Sequence, residues 1–148
     1  METHWRVAGA IAAIMPGMSE SKRSAVATAT AIEETRSFAI EAARLATEFR
    51  CEDVAVIDLR GLSSVADYFV LGTGTSDRQM HAVLGHLEEL AKRQGRRPYN
   101  VSNPREASWI LVDYVDVMVH LFDASHRTYY DLDGLWGDAP RVEWKKGA

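Results

Sequence analysis

The chain has 148 residues, 47% apolar and 26% charged, the balance of an ordinary globular protein with one hydrophobic core. Its 21 acidic and 17 basic side chains leave a net charge of −4, which argues against generic nucleic-acid binding, because neutralising phosphates takes clustered cations. A lone cysteine, Cys51, excludes an internal disulfide framework and a four-thiolate zinc site and suits a reducing, cytoplasmic setting. No apolar run approaches the roughly 20 residues of a bilayer span.

Residues 1–31 are expected to form a disordered extension. Val7 to Met15 is an apolar run ended by Pro16-Gly17, reminiscent of a weak signal segment without a small-residue cleavage pattern, and residues 19–31 are dominated by Ser, Ala and Thr. A folded domain is expected over 32–142, followed by a short tail, 143–148. Its first helix carries Phe38, Ala42, Leu45 and Phe49 on one stripe, with Glu41, Arg44 and Glu48 outside it. Val54 to Ile57 and Tyr68 to Leu71 are short β-branched or aromatic runs without polar alternation, which predicts two central strands buried on both faces.

After the second strand, Gly72-Thr73-Gly74-Thr75-Ser76 leads into a capping box of Ser76 and Gln79. The helix that follows buries Met80, Val83, Leu84, Leu87, Leu90 and Ala91 and ends at Gly95. Lys92 to Arg97 is the one basic cluster. It reads as a solvated helix end, where cations favour the helix dipole, with a phosphate contact as the alternative.

Residues 107–122 predict a β-hairpin with its turn at Tyr114-Val115, pairing Val112 with Val117, Leu111 with Met118, Ile110 with Val119 and Trp109 with His120. Alternation sorts the side chains into two unlike faces. Ile110, Val112, Val117, Val119 and Leu121 form a core face. Trp109, Leu111, Asp113, Asp116, Met118, His120 and Phe122 form a mixed face, either covered by the chain's own helices or open to a partner. From Glu106 to Asp138 seven acidic residues stand against Arg127 alone, a local charge of −6 that favours a basic partner. Val115 is the irregular position, because the turn calls for a positive φ that a β-branched residue adopts with a strain of about 1–2 kcal/mol.

Several chemistries are set aside on spacing. His81 and His86, five apart on a helix, point in different directions and have no completing ligands, so no metal centre is expected. Ser76 with His120 and Asp113 or Asp116 lacks a nucleophile-elbow pattern, and Cys51 reads as a small buried hydrophobe. The Gly72–Ser76 loop is the enzymatic candidate, a phosphate cradle of the nucleotidyltransferase kind. No lysine follows the glycines, however, and Asp113 and Asp116 do not alternate on one strand face.

Asp67-Tyr68-Phe69-Val70, Gly74 to Gln79, the Trp109 strand with Asp113-Tyr114 and Asp116, His120, and Tyr130-Asp131-Leu132 with Leu135 to Ala139 together resemble the ribosomal silencing factor, or Iojap-related, family. The resemblance implies an α/β (α+β) domain with a mixed sheet of about five strands, nucleotidyltransferase-like in topology but without catalysis, cofactor or metal. It also implies binding to the large ribosomal subunit through its protein L-fourteen, obstruction of subunit joining and repression of translation when nutrients are scarce, with homodimers when free. Trp109, Asp113 and Asp116 match the family's binding surface, and the face argument adds Leu111, Met118 and His120. Tyr130 and Trp136 match family positions of less defined role. Two departures stand out: Val115 occupies a usual glycine position, and Ala107-Ser108 precede the tryptophan where an acidic residue or glycine is usual. A nucleotidyltransferase-like enzyme and a dimeric scaffold using the same hairpin face are the competing readings.

Overall fold

The structure is a computed structural model that describes residues 20–103 and 108–145. It divides into two units, residues 1–37 and 38–148. Helix α1, Glu20–Glu48, begins well ahead of the expected domain start at Ile32. Alternating alanines at 25, 27, 29 and 31, uninterrupted by glycine or proline, supply the helix propensity that the low apolar content of this stretch conceals. The apolar run Val7 to Met15 lies outside the described residues. In the first unit, the Thr35 hydroxyl donates to the Ala31 carbonyl at 2.9 Å.

The second unit carries a five-stranded mixed sheet made of β1 (Glu52–Asp58), β2 (Tyr68–Thr73), β3 (Asn100–Ser102), β4 (Trp109–Asp113) and β5 (Val117–Phe122), in spatial order β1-β2-β5-β4-β3. Only β2 and β5 are parallel, the other neighbours being antiparallel. Helix α2, Asp77–Arg93, lies between β2 and β3 in sequence, and the short helices α3, Ala124–Tyr130, and α4, Leu132–Leu135, follow β5.

Strand alternation divides the interior into two clusters. Val56, Tyr68, Val70, Ile110, Val112, Val117, Val119 and Leu121 pack with Phe38, Ala39, Ala42, Ala43 and Ala46 of α1 and with the apolar stripe of α2. On the opposite face Ile57, Phe69, Leu71, Met118 and Phe122 meet Leu59, Ala66 and Ala139. The α1 stripe is thus centred on alanines, which let the helix approach the sheet closely, while Leu45 and Phe49 sit at its margin, Phe49 stacked on His86 with ring centroids 3.9 Å apart. The capping box forms on α2: Ser76 accepts from the Gln79 amide, and the Gln79 side chain accepts from the Thr75 amide.

Strand β2 is buried on both faces as expected, but β1 is an edge strand. Its outer rim is covered by the C-terminal segment, where Asp58 N–H donates to the Pro140 carbonyl and Val142 N–H to the Val56 carbonyl, both at 2.9 Å. This gives an exposed sheet edge backbone partners from the same chain. Among the described residues no helix is long and apolar enough to cross a membrane.

Candidate functional site

The hairpin of β4 and β5 turns one residue later than expected. Tyr114 N–H donates to the Val117 carbonyl and Asp116 N–H to the Tyr114 carbonyl, each at 2.9 Å, so the loop residues are Val115 and Asp116. The register moves with it: Trp109 lies opposite Phe122, Leu111 opposite His120 and Asp113 opposite Met118. A shift of two positions preserves the pleat, so the division into two faces holds although each cross-strand pair differs. Val115 adopts φ 73°, the left-handed conformation the turn demands, and Asp113 Oδ1 accepts its N–H at 2.7 Å. The Asp116 carbonyl accepts from Asp67 and Tyr68 N–H, fastening the turn to the start of β2.

The mixed face is covered over part of its width. The segment after β5 lays Leu132, Trp136 and Ala139 over the β1, β2 and β5 side, with Trp136 edge-on to Phe69 at 6.4 Å. Arg127 fixes this cover: its guanidinium grips Asp133 through Nε and Nη2 at 2.9 and 3.0 Å and donates through Nη1 to the Thr73 hydroxyl at the end of β2, at 3.1 Å. Asp123 caps α3. Asp131, left-handed at φ 43°, caps α4 through Gly134 N–H, and a Cβ at 134 would push the Asp131 carboxylate out of this capping position.

The eight expected site residues therefore separate. Met118 and His120, expected on the open face, are buried, because the α3–α4 segment closes over β5. His120 is 3% exposed; Phe69 packs edge-on against it, and Trp109 and Phe122 stack on it. Trp109, Leu111, Asp113, Asp116 and Trp136 are half-buried, and Tyr130 is 43% exposed with its ring 4.5 Å from that of Trp109. The Trp109 indole N–H donates to His120 Nδ1 at 3.2 Å. Burial drives the His120 pKa down to about 4, so the neutral ring serves as acceptor. The indole is thus oriented from beneath by a buried imidazole and flanked on its open side by Tyr130. Sequence reasoning passed over Tyr129, which is 79% exposed and packs edge-on against Tyr130 with ring centroids 5.1 Å apart. Its signal was a pair of adjacent tyrosines between two helix-capping aspartates, Asp123 and Asp131.

The acidic excess is partly architectural. Asp123 and Asp131 are helix caps, and Asp133 is the partner of Arg127, whose hydrogen bonds hold that carboxyl below its ordinary range. Asp113 and Asp116 lie at the end of β4 and in the hairpin turn, both half-buried.

The Gly72–Ser76 loop is occupied by its own chain. Gly74 N–H donates to the Phe122 carbonyl and Thr75 N–H to Gln79 Oε1, so the amides that would cradle a phosphate are engaged. Gly74 is required because a Cβ would overlap the buried Met80 side chain. Cys51 is buried and its thiol pKa is raised by that burial, the behaviour of a packing residue. Among the described residues no cluster of His, Cys, Asp and Glu is arranged to hold a metal ion.

These features define a mixed α/β domain whose one half-open sheet margin presents aromatic, aliphatic and acidic side chains. Residues 32–148 match the family described as ribosomal silencing factor during starvation, and the chain belongs to that family. It is 41% identical over 102 residues to the ribosomal silencing factor RsfS of Bacillus subtilis, covering 69% of this chain and 86% of the relative. A crystal structure of a Chromobacterium violaceum protein superposes with a TM-score of 0.64 at 30% identity, covering 79% of this chain and 94% of the other. A mouse protein named mitochondrial assembly of ribosomal large subunit protein 1 is 34% identical over 87 residues, covering 57% of this chain and 38% of its own length.

Proposed function

We propose that this ribosomal silencing factor docks on the large ribosomal subunit through the Trp109 margin of its sheet, obstructs the approach of the small subunit and thereby represses translation. The observation that carries the reading is the indole of Trp109, held by buried His120 while part of it reaches solvent on the strand face shared with Leu111 and Asp113 and beside Tyr130. A rigid aromatic anchor at one end of a strand with Asp113 at its other end and Asp116 in the following turn suits a basic protein surface: the anchor contributes affinity and the carboxylates contribute steering and register. The partner in this reading is the large-subunit protein L-fourteen; an association with the large subunit is in keeping with the mouse relative, which is named for assembly of the ribosomal large subunit. Steric exclusion needs no catalysis, and an interface of roughly 1,600 Å² is enough to hold a domain in the path of another particle. The engaged amides of the Gly72–Ser76 loop favour this reading over nucleotidyl transfer. The protein acts in the cytoplasm, alongside the ribosomes it binds.

Pelleting of Trp109→Ala with purified large subunits tests the surface, with circular dichroism to confirm folding. Loss of an anchor of this kind weakens binding by about thirtyfold, corresponding to roughly 2 kcal/mol. A folded variant that pellets as tightly as the parent removes Trp109 from the interface.

A further inference from the structure

The turn after α2 is the one strongly basic feature of a chain with a net charge of −4, and the protein-docking face leaves it unused. It is a fixed structure. Gly95, at φ 70°, donates to the Lys92 carbonyl and Arg96 N–H donates to the Ala91 carbonyl at 2.8 Å, the paired bonds of a Schellman motif. Arg96 folds inward, its guanidinium 4.7 Å above the Phe38 ring. Lys92, Arg93 and Arg97 are exposed, and no ion pair engages them among the described residues. Tyr99, 79% exposed, follows at once, and its N–H donates to the Asp113 carbonyl. The helix dipole accounts for cations at 92 and 93, inside the last turn. Arg97 and Tyr99 stand beyond the helix, where that effect has faded.

We propose that Lys92, Arg93, Arg97 and Tyr99 form a second contact surface that binds RNA, the cations pairing with backbone phosphates and the tyrosine ring stacking on a base. Exposed cations beside an unburied aromatic ring are the chemistry of sequence-tolerant RNA binding. The location strengthens the case. Tyr99 is bonded to the backbone of Asp113, so the basic turn adjoins the end of the acidic and aromatic face, and the two form one footprint for a particle built of basic protein and RNA. This deepens the ribosomal reading and rests on it for the identity of the RNA.

The test compares the parent with a variant carrying Lys92→Gln, Arg93→Gln and Arg97→Gln, and with Tyr99→Ala, all at exposed positions. Binding is measured to intact large subunits, to large-subunit RNA stripped of protein, and to purified L-fourteen, between about 50 and 200 mM salt. Each cation paired with a phosphate contributes about 0.7–0.9 to the slope of log affinity against log salt, so the triple variant flattens the slope by about two units on both RNA-containing targets. Its affinity falls by about two orders of magnitude or more at the lowest salt and by less at the highest, and binding to L-fourteen alone is unchanged. Tyr99→Ala lowers RNA affinity without altering the slope, because stacking involves no counterion release. Equal affinity and equal slope for the parent and triple variant, or no binding of the parent to stripped RNA, overturns the proposal. Charge-dependent binding to stripped RNA with no binding to intact subunits upholds the RNA surface and removes the ribosomal docking reading instead.

Discussion

His120 lies among Phe69, Trp109 and Phe122, and its Nδ1 accepts the indole proton of Trp109 while its Nε2 has no partner among the described residues. Protonating the ring turns that acceptor into a donor facing another donor. Burial lowers its pKa from 6.5 to about 4, so the unfolded chain takes up the proton first as pH falls. Stability is therefore full above about pH 6.5 and declines toward pH 4, by on the order of 3 kcal/mol. Asp133, held below its model-peptide value of 3.8 by Arg127, adds its own loss only at lower pH. Urea unfolding at pH 7.5 and 4.5 checks this: His120→Phe flattens the difference, whereas a variant as pH-sensitive as the parent assigns the titration to another group. Of the residue-scale features, the strained backbone of Val115 was legible from the tight turn, but its place was not: it is the first loop residue, and Asp116 beside it does not share the positive φ. The burial of His120 was not, since alternation assigns a side chain to a face without saying what later segment covers that face.

At the scale of elements, the cover over the sheet depends on few contacts. Helices α3 and α4 contain no buried residues, so their position rests on Leu132, Trp136 and Ala139 and on the Arg127 clasp joining Asp133 to Thr73. Arg127→Met removes three hydrogen bonds and leaves a half-buried carboxylate without its cation, a loss of about 1–3 kcal/mol. Hydrogen exchange is expected to quicken in 124–136 while the amides of β2 and β5 keep their protection. Unchanged exchange in that segment would show that apolar packing alone holds the cover. The long and strongly periodic elements were readable: the α2 stripe, its Ser76 cap and the two faces of the hairpin follow from spacing alone. The hairpin register was not, because two apolar strands satisfy the pleat equally well at offsets of two residues. The edge position of β1 was hidden as well. Its apolar run resembles a central strand because residues 140–142 supply the missing neighbour from the far end of the chain.

At the scale of the whole molecule, the second unit is a sheet with one face closed by α1 and α2 and the other closed over only part of its width. The half-open margin at β4 collects Trp109, Leu111 and Asp113, the turn adds Asp116, and Tyr130 reaches it from α3. Composition and motif order pointed to this family and its mixed sheet; the division of the acidic residues between helix caps and surface required the fold. Sucrose-gradient profiles of purified ribosomal subunits under joining conditions, with and without excess protein, decide whether the protein obstructs subunit joining. Joined ribosomes are expected to decrease, free subunits to increase and the protein to migrate with the large subunit, with Trp109→Ala failing to produce the change. An undiminished peak of joined ribosomes, or protein migrating with the small subunit, would contradict this expectation.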